Sequence, residues 1–101
     1  MHDSRVVAER FARNLVLHRR RARLSQEDLA FRASLHRTEI SVLERGIRLA
    51  RIDTVVKLSG GLEVDAGDLF EGLTWTAGTH ILGSFSSPPL EPLSQRPERA
   101  D

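Results

Sequence analysis

The chain has 101 residues, 40% of them hydrophobic and 29% charged, which suits one small folded domain. It has no cysteine, so disulfides and thiolate metal sites are excluded, and its apolar runs are far too short to span a membrane. The formal net charge of +1 hides an asymmetry, because eleven arginines face six acidic residues in positions 1–50 while four basic residues face eight acidic ones in 51–101.

The N-terminal half therefore carries the positive field that phosphate binding requires, since most nonspecific affinity for nucleic acid comes from counterion release. The alternative for the asymmetry alone is a solvated charged surface. The first residues, MHDSRVV, lack a signal-peptide core, so a cytoplasmic location is expected.

Asp3 or Ser4 can cap a first helix running to about Ala22. Val7, Phe11, Leu15, His18 and Ala22 recur at spacings of four, four, three and four, one face of a helix. His18 interrupts that stripe and is expected at the core edge, its ring packed and a nitrogen bonded to a carbonyl or water. Arg19, Arg20, Arg21 and Arg23 cannot all face one way, because successive helical residues turn by about 100°.

Ser25 precedes Gln26, Glu27 and Asp28, a capping hydroxyl ahead of acidic residues that suit the positive end of a helix dipole. A second helix with Leu29, Ala30 and Ala33 on its apolar side should start there. Ser34-Leu35 interrupts the pattern, and a third helix with Ile40 and Leu43 closes at Gly46, which can adopt the left-handed conformation. Each helix is about two turns long and unstable alone. Two such helices around a tight turn make a helix-turn-helix, whose second helix projects its first residues, here His36, Arg37, Thr38 and Glu39. Arginine and threonine at such a tip fit the major groove, where Arg can pair bidentately with guanine and Thr can meet a base edge or a thymine methyl.

Arg45, Arg48 and Arg51 flank the following loop and are candidates for the sugar-phosphate backbone. Ile47 and Leu49 are expected to face inward or toward a partner. A fourth helix spans about Ile52 to Leu62, with Gly60-Gly61 in its last turns. Two glycines there either weaken the helix by roughly 2 kcal/mol against alanine or mark a close backbone approach. Asp65 should cap a fifth short helix, Ala66 to Glu71, with Leu69 and Phe70 completing the core.

Past Gly72 the composition changes. Thr74-Trp75-Thr76 and His80-Ile81-Leu82, with Gly83-Ser84-Phe85 beyond, bracket the glycine turn Ala77-Gly78-Thr79, which predicts a small hairpin over 74–85. A lone hairpin is marginal in water, so Trp75, Ile81 and Phe85 need a surface. Either their own domain supplies it or two copies pair; pairing is favoured because one helix-turn-helix reads only a half-site. Residues 86–101 hold all four prolines and read as disordered.

The pattern Leu24-Ser25-Gln26-x-x-Leu29-Ala30, followed by Arg37-Thr38-x-Ile40-Ser41-x-Leu43-Glu44-x-Gly46, resembles the Cro/repressor-type (XRE) helix-turn-helix transcriptional regulators. The resemblance covers roughly residues 8 to 73. It implies a mainly α, five-helix, lambda-repressor-like DNA-binding domain over 1–73, here followed by the hairpin and the tail. It also implies roles: Gln26 on a phosphate or base edge, Arg37 and Thr38 as main base readers, with His36 beside them and Ser41 and Val42 further along the groove. Arg19 and Glu44 are implied as a partly buried ion pair whose value is orientation more than net stability. Two positions depart from the family pattern: His18 stands where a small or aliphatic residue is common, and Ser34 stands where the turn usually has glycine. A left-handed serine costs about 1 kcal/mol relative to glycine.

The expected function is that of a sequence-specific, dimeric DNA-binding regulator, a repressor that occludes a promoter, with double-stranded DNA and a second copy as partners and no membrane. The alternative is a protein-interaction or antitoxin-type module whose main partner is another protein. An enzyme finds little support. His2, His18, His36 and His80 lack metal-ligand spacing, and no nucleophile-base set, cofactor motif or ligand-enclosing domain is present.

Overall fold

A computed structural model describes residues 4–93. Four α-helices come first: α1 (Arg5–Arg21), α2 (Gln26–Ala33), α3 (Arg37–Glu44) and α4 (Ile52–Leu62). A 3-10 turn, Ala66–Phe70, and two strands, β1 (Thr74–Thr76) and β2 (Ser84–Ser86), complete the fold. Asp3 lies outside the described residues, and Ser4 occupies the N-cap of α1 without a side-chain cap bond.

α1 buries Ala8, Phe11, Ala12, Leu15 and Val16, so its inward face is centred slightly to one side of the expected stripe. Val7 and His18 sit half-buried at the edges, and Ala22 is exposed beyond the helix. The helix stops there because Arg23 turns into the left-handed region at φ 62°. The core joins Phe11 and Leu15 of α1, Leu29, Ala30 and Ala33 of α2, Ile40 and Leu43 of α3, and Val55, Leu58 and Leu62 of α4, with Leu69 beneath. Each short helix gains through this shared burial the stability it lacks alone.

Gly61 shows how closely α4 approaches α2. A Cβ there would stand 3.1 Å from Leu29 Cδ1 and 3.5 Å from Ala33 Cβ, whereas one at Gly60 would meet nothing within 4 Å. The glycine pair thus combines one close approach with one solvent-facing position.

The fifth short helix expected over Ala66 to Glu71 is a 3-10 turn, Ala66–Phe70, so among the described residues four helices are α. Only five residues, AGDLF, lie between its caps Asp65 and Glu71, and the chain turns at Gly72 (φ 94°) directly after, room for a 3-10 turn and no more. Asp65 stands at its N-cap, and its N–H donates to the Asp68 carboxylate at 3.2 Å. The turn is tied to α1 by Asn14, whose buried side-chain amide donates to the carbonyls of Leu69 and Glu71, both at 3.0 Å.

The hairpin is present with a different return strand. β1 pairs antiparallel with β2 in the register Thr74↔Ser86, Trp75↔Phe85, Thr76↔Ser84, so His80-Ile81-Leu82 belongs to the connecting loop. Gly78 and Gly83 let that loop close tightly, since a Cβ on either would fall 2.5 Å from a backbone oxygen. The Trp75 and Phe85 rings pack edge to face with centroids 4.8 Å apart.

Residues 87–93 have no regular secondary structure, yet they lie against α1. Arg10 donates from Nε to Ser87 Oγ at 2.7 Å and from Nη2 to the carbonyls of Pro88 (2.8 Å) and Pro89 (3.4 Å). Proline-rich backbone has no internal partners for its carbonyls, and one guanidinium here collects two of them. These contacts set residues 87–93 beside α1, and the rest of the tail expected to be disordered, 94–101, lies outside the described residues.

Candidate nucleic-acid interface

α2 is opened by a reciprocal cap. Ser25 Oγ accepts from the Asp28 N–H at 2.9 Å and the Asp28 carboxylate accepts from the Ser25 N–H at 3.0 Å. The Ser25 N–H, and after it the Ser25 hydroxyl, hold the Asp28 carboxyl below the usual carboxylate range. α2 ends on Ser34, left-handed at φ 55° and ψ 44°, with the Leu35 N–H donating back to the Ala30 carbonyl at 2.9 Å. The turn therefore keeps the geometry that glycine would supply more cheaply.

His36 then occupies the N-cap of α3, its Nδ1 accepting from the Thr38 N–H at 3.1 Å. An accepting Nδ1 leaves the ring proton on Nε2. One nitrogen thus orders the helix, and the residue is otherwise exposed at its tip. Arg37 and Thr38 follow, both exposed, and among the described residues nothing holds either side chain. Ser41 and Val42 stand one turn further along the same side, half-buried.

A network of charged groups fixes this helix from behind. Arg19 donates to Glu44 from Nε (2.5 Å) and Nη2 (3.0 Å), and from Nη1 to the Leu24 carbonyl at 2.9 Å. The pair is largely buried, with 15% of the Arg19 side chain and 6% of the Glu44 side chain exposed. Gln26 donates one amide N–H to Glu44 at 3.0 Å, which among the described residues leaves its second N–H and its carbonyl free. The end of α1, the start of α2 and the end of α3 are thereby held by a single carboxylate.

The three loop arginines are exposed and none is idle. Arg45 Nε donates to the Ser41 carbonyl at 3.3 Å, Arg51 pairs with Asp53 at 3.2 Å, and Arg48 grips both carboxylate oxygens of Glu39. That last pair raises the Arg48 pKa through the hydrogen bond to Glu39 first and its charge second. The sequence places Glu39 at the helix tip but does not pair it with Arg48, because nothing local links positions nine apart across a glycine turn. Asn14 was missed as well; a polar residue among Phe11, Leu15 and His18 on one helical face was the available signal.

Ile47 and Leu49, expected inward or on a partner, are exposed, as are Ile52 and Val56 on successive turns of α4. In the hairpin Trp75 and Ile81 are exposed and Phe85 is half-buried. Among the described residues no cluster of three or more His, Asp or Glu could hold a metal, and no helix is long and apolar enough to cross a membrane.

A helix-turn-helix family model, HTH_3, matches residues 17–69. Control protein C.BamHI of Bacillus amyloliquefaciens is 44% identical over 54 residues, which are 54% of this chain and 67% of that protein. The restriction-modification controller protein C.AhdI of Aeromonas hydrophila superposes with a TM-score of 0.61 at 33% identity, over 62% of this chain and 96% of its own. The wild-type controller C.Esp1396I gives a TM-score of 0.60 at 32% identity, over 64% and 86%.

Proposed function

The chain belongs to the helix-turn-helix family of DNA-binding transcriptional regulators, and from that footing we propose that it is a dimeric cytoplasmic regulator of the restriction-modification controller kind. The observation that carries this reading is the tip of α3. Arg37 and Thr38 project, without side-chain partners among the described residues, from a helix whose start is capped by His36 and whose end is anchored by the Arg19–Glu44–Gln26 network.

Free donors on a preordered tip are what direct readout needs. The guanidinium of Arg37 meets guanine O6 and N7, and Thr38 meets the neighbouring base. His36 contributes Nε2–H beside them, and Ser41 and Val42 line the wall of the groove. The second amide N–H of Gln26 reaches a phosphate, as do Arg45 and Arg51, which have only weak or exposed internal partners. Backbone contacts of this kind set register and affinity without reading sequence.

Reading a palindrome takes two copies. The exposed Ile47, Leu49, Ile52 and Val56 offer an apolar surface interleaved in sequence with Arg48 and Arg51, beside the proposed DNA contacts. An interface there sets two recognition helices toward one face of a duplex. The hairpin is the weaker candidate, because Trp75 and Phe85 already pack on each other. Selection from random duplexes tests the function: a palindrome with half-sites about one helical turn apart is expected. Weak binding without enrichment, abolished by salt, would favour a protein partner.

A further inference from the structure

Resting on the DNA-reading function above, we propose that Glu39 is a specificity-determining positioning residue: it withholds Arg48 from DNA phosphates and makes the two side chains act as one neutral unit at the groove. Glu39 lies in the first turn of α3, directly after Arg37 and Thr38, so its carboxylate stands where DNA is to be read. Bare, that carboxylate would repel phosphates and the acceptor-rich floor of the major groove.

Arg48 cancels it. Nη1 donates to Oε2 at 3.1 Å and Nη2 to Oε1, an end-on fork that fixes the plane of the guanidinium. The Arg48 side chain is 48% exposed and that of Glu39 24%, so the pair is at the surface with its outer edge open. Of the five guanidinium N–H groups two are taken, and Nε–H with one N–H on each terminal nitrogen remains. The pair also staples the loop after Gly46 to the first turn of the recognition helix.

The consequence concerns discrimination. An unpaired Arg48 would seek any phosphate and add equally to every sequence, whereas a paired one adds little to nonspecific binding and presents its remaining donors in one orientation. Arg48 thereby moves from the expected backbone contacts to the residues on which specificity depends.

The test compares wild-type, Glu39→Gln, Arg48→Gln and the double variant on a selected cognate duplex and on a random-sequence duplex across a salt series. Circular dichroism establishes that each variant is folded. With Glu39→Gln, the log–log salt slope on random DNA should steepen by about 0.9, one further phosphate neutralised, and the specificity ratio should fall about tenfold. In the double variant the slope should return to the wild-type value, because the released charge is that of Arg48. A steepened slope that persists in the double variant means that Glu39 merely repels DNA, and overturns the proposal; so does a specificity ratio unchanged by Glu39→Gln. Retention by Glu39→Asp of the wild-type ratio supports it, and loss of that ratio counts against a positioning carboxylate. A wild-type protein that discriminates no sequence overturns the DNA-reading function itself, an outcome distinct from wild-type discrimination unaffected by the variants.

Discussion

Gly60 and Gly61 are chain neighbours with opposite surroundings, and substitution should separate them. Gly60→Ala adds a methyl to open space and removes backbone freedom from the unfolded chain, so it should stabilise by about 0.5–1 kcal/mol. Gly61→Ala drives its methyl toward Leu29 and Ala33 and should forfeit that gain. Urea unfolding of both variants checks this, and equal stabilisation would contradict the close packing of α4 on α2. Asp28 makes a second prediction. A carboxylate whose folded pKa is lowered contributes stability that is full above the unfolded value, about 4, and lost as pH falls through the folded one. Asp28→Asn should therefore flatten the fall in thermal stability below about pH 4 and cost stability at neutral pH. An unchanged acid limb would remove the cap from that account.

At this scale the sequence was legible wherever a role is local. The cap at Ser25 needs only its next three residues, and the left-handed Ser34 follows from where the turn falls. The second function of His36, capping α3, was hidden because the chemistry that makes it a base reader also makes it a cap. The Glu39–Arg48 fork was hidden for another reason: Gly46 reverses the chain between them, and the path after a left-handed glycine is set by tertiary packing.

At the scale of elements, the four α-helices have the expected order because each carries its own period and stop signal. α4 even has the expected bounds, Ile52–Leu62. The 3-10 turn differs because five residues between two caps satisfy either pattern, and the available length decides. The hairpin register differs for a related reason. Ile81 and Leu82 have the composition of a strand, but Trp75 gains more by facing Phe85 than by facing a residue that no surface covers. The exposed apolar residues of α4 and the preceding loop yield the element-scale prediction. Ile52→Asp should shift the protein to monomers in sedimentation at micromolar concentration, whereas Ile81→Asp should leave dimers intact. The reverse pattern would return the interface to the hairpin.

For the molecule as a whole, the segment after the hairpin has more influence than its composition suggests. Residues 87–93 cross α1 and are held by Arg10, 77 to 79 residues earlier in the chain, a contact that no local pattern can announce. Deleting residues 87–101 removes those bonds and should lower stability by about 1–2 kcal/mol in urea unfolding, with little change in DNA affinity. An unchanged midpoint would mean that the segment does not brace the domain.

The reading of the whole molecule depends on Arg37 at the free end of α3. The direct measurement is binding of wild-type and Arg37→Ala to the selected palindrome and to every single-position variant of it, at fixed salt. Loss of about 1–3 kcal/mol on the palindrome, with preference flattened at one position of each half-site and kept elsewhere, is the predicted result. Equal loss on all sequences, as Arg51→Ala should give, would contradict base reading by Arg37.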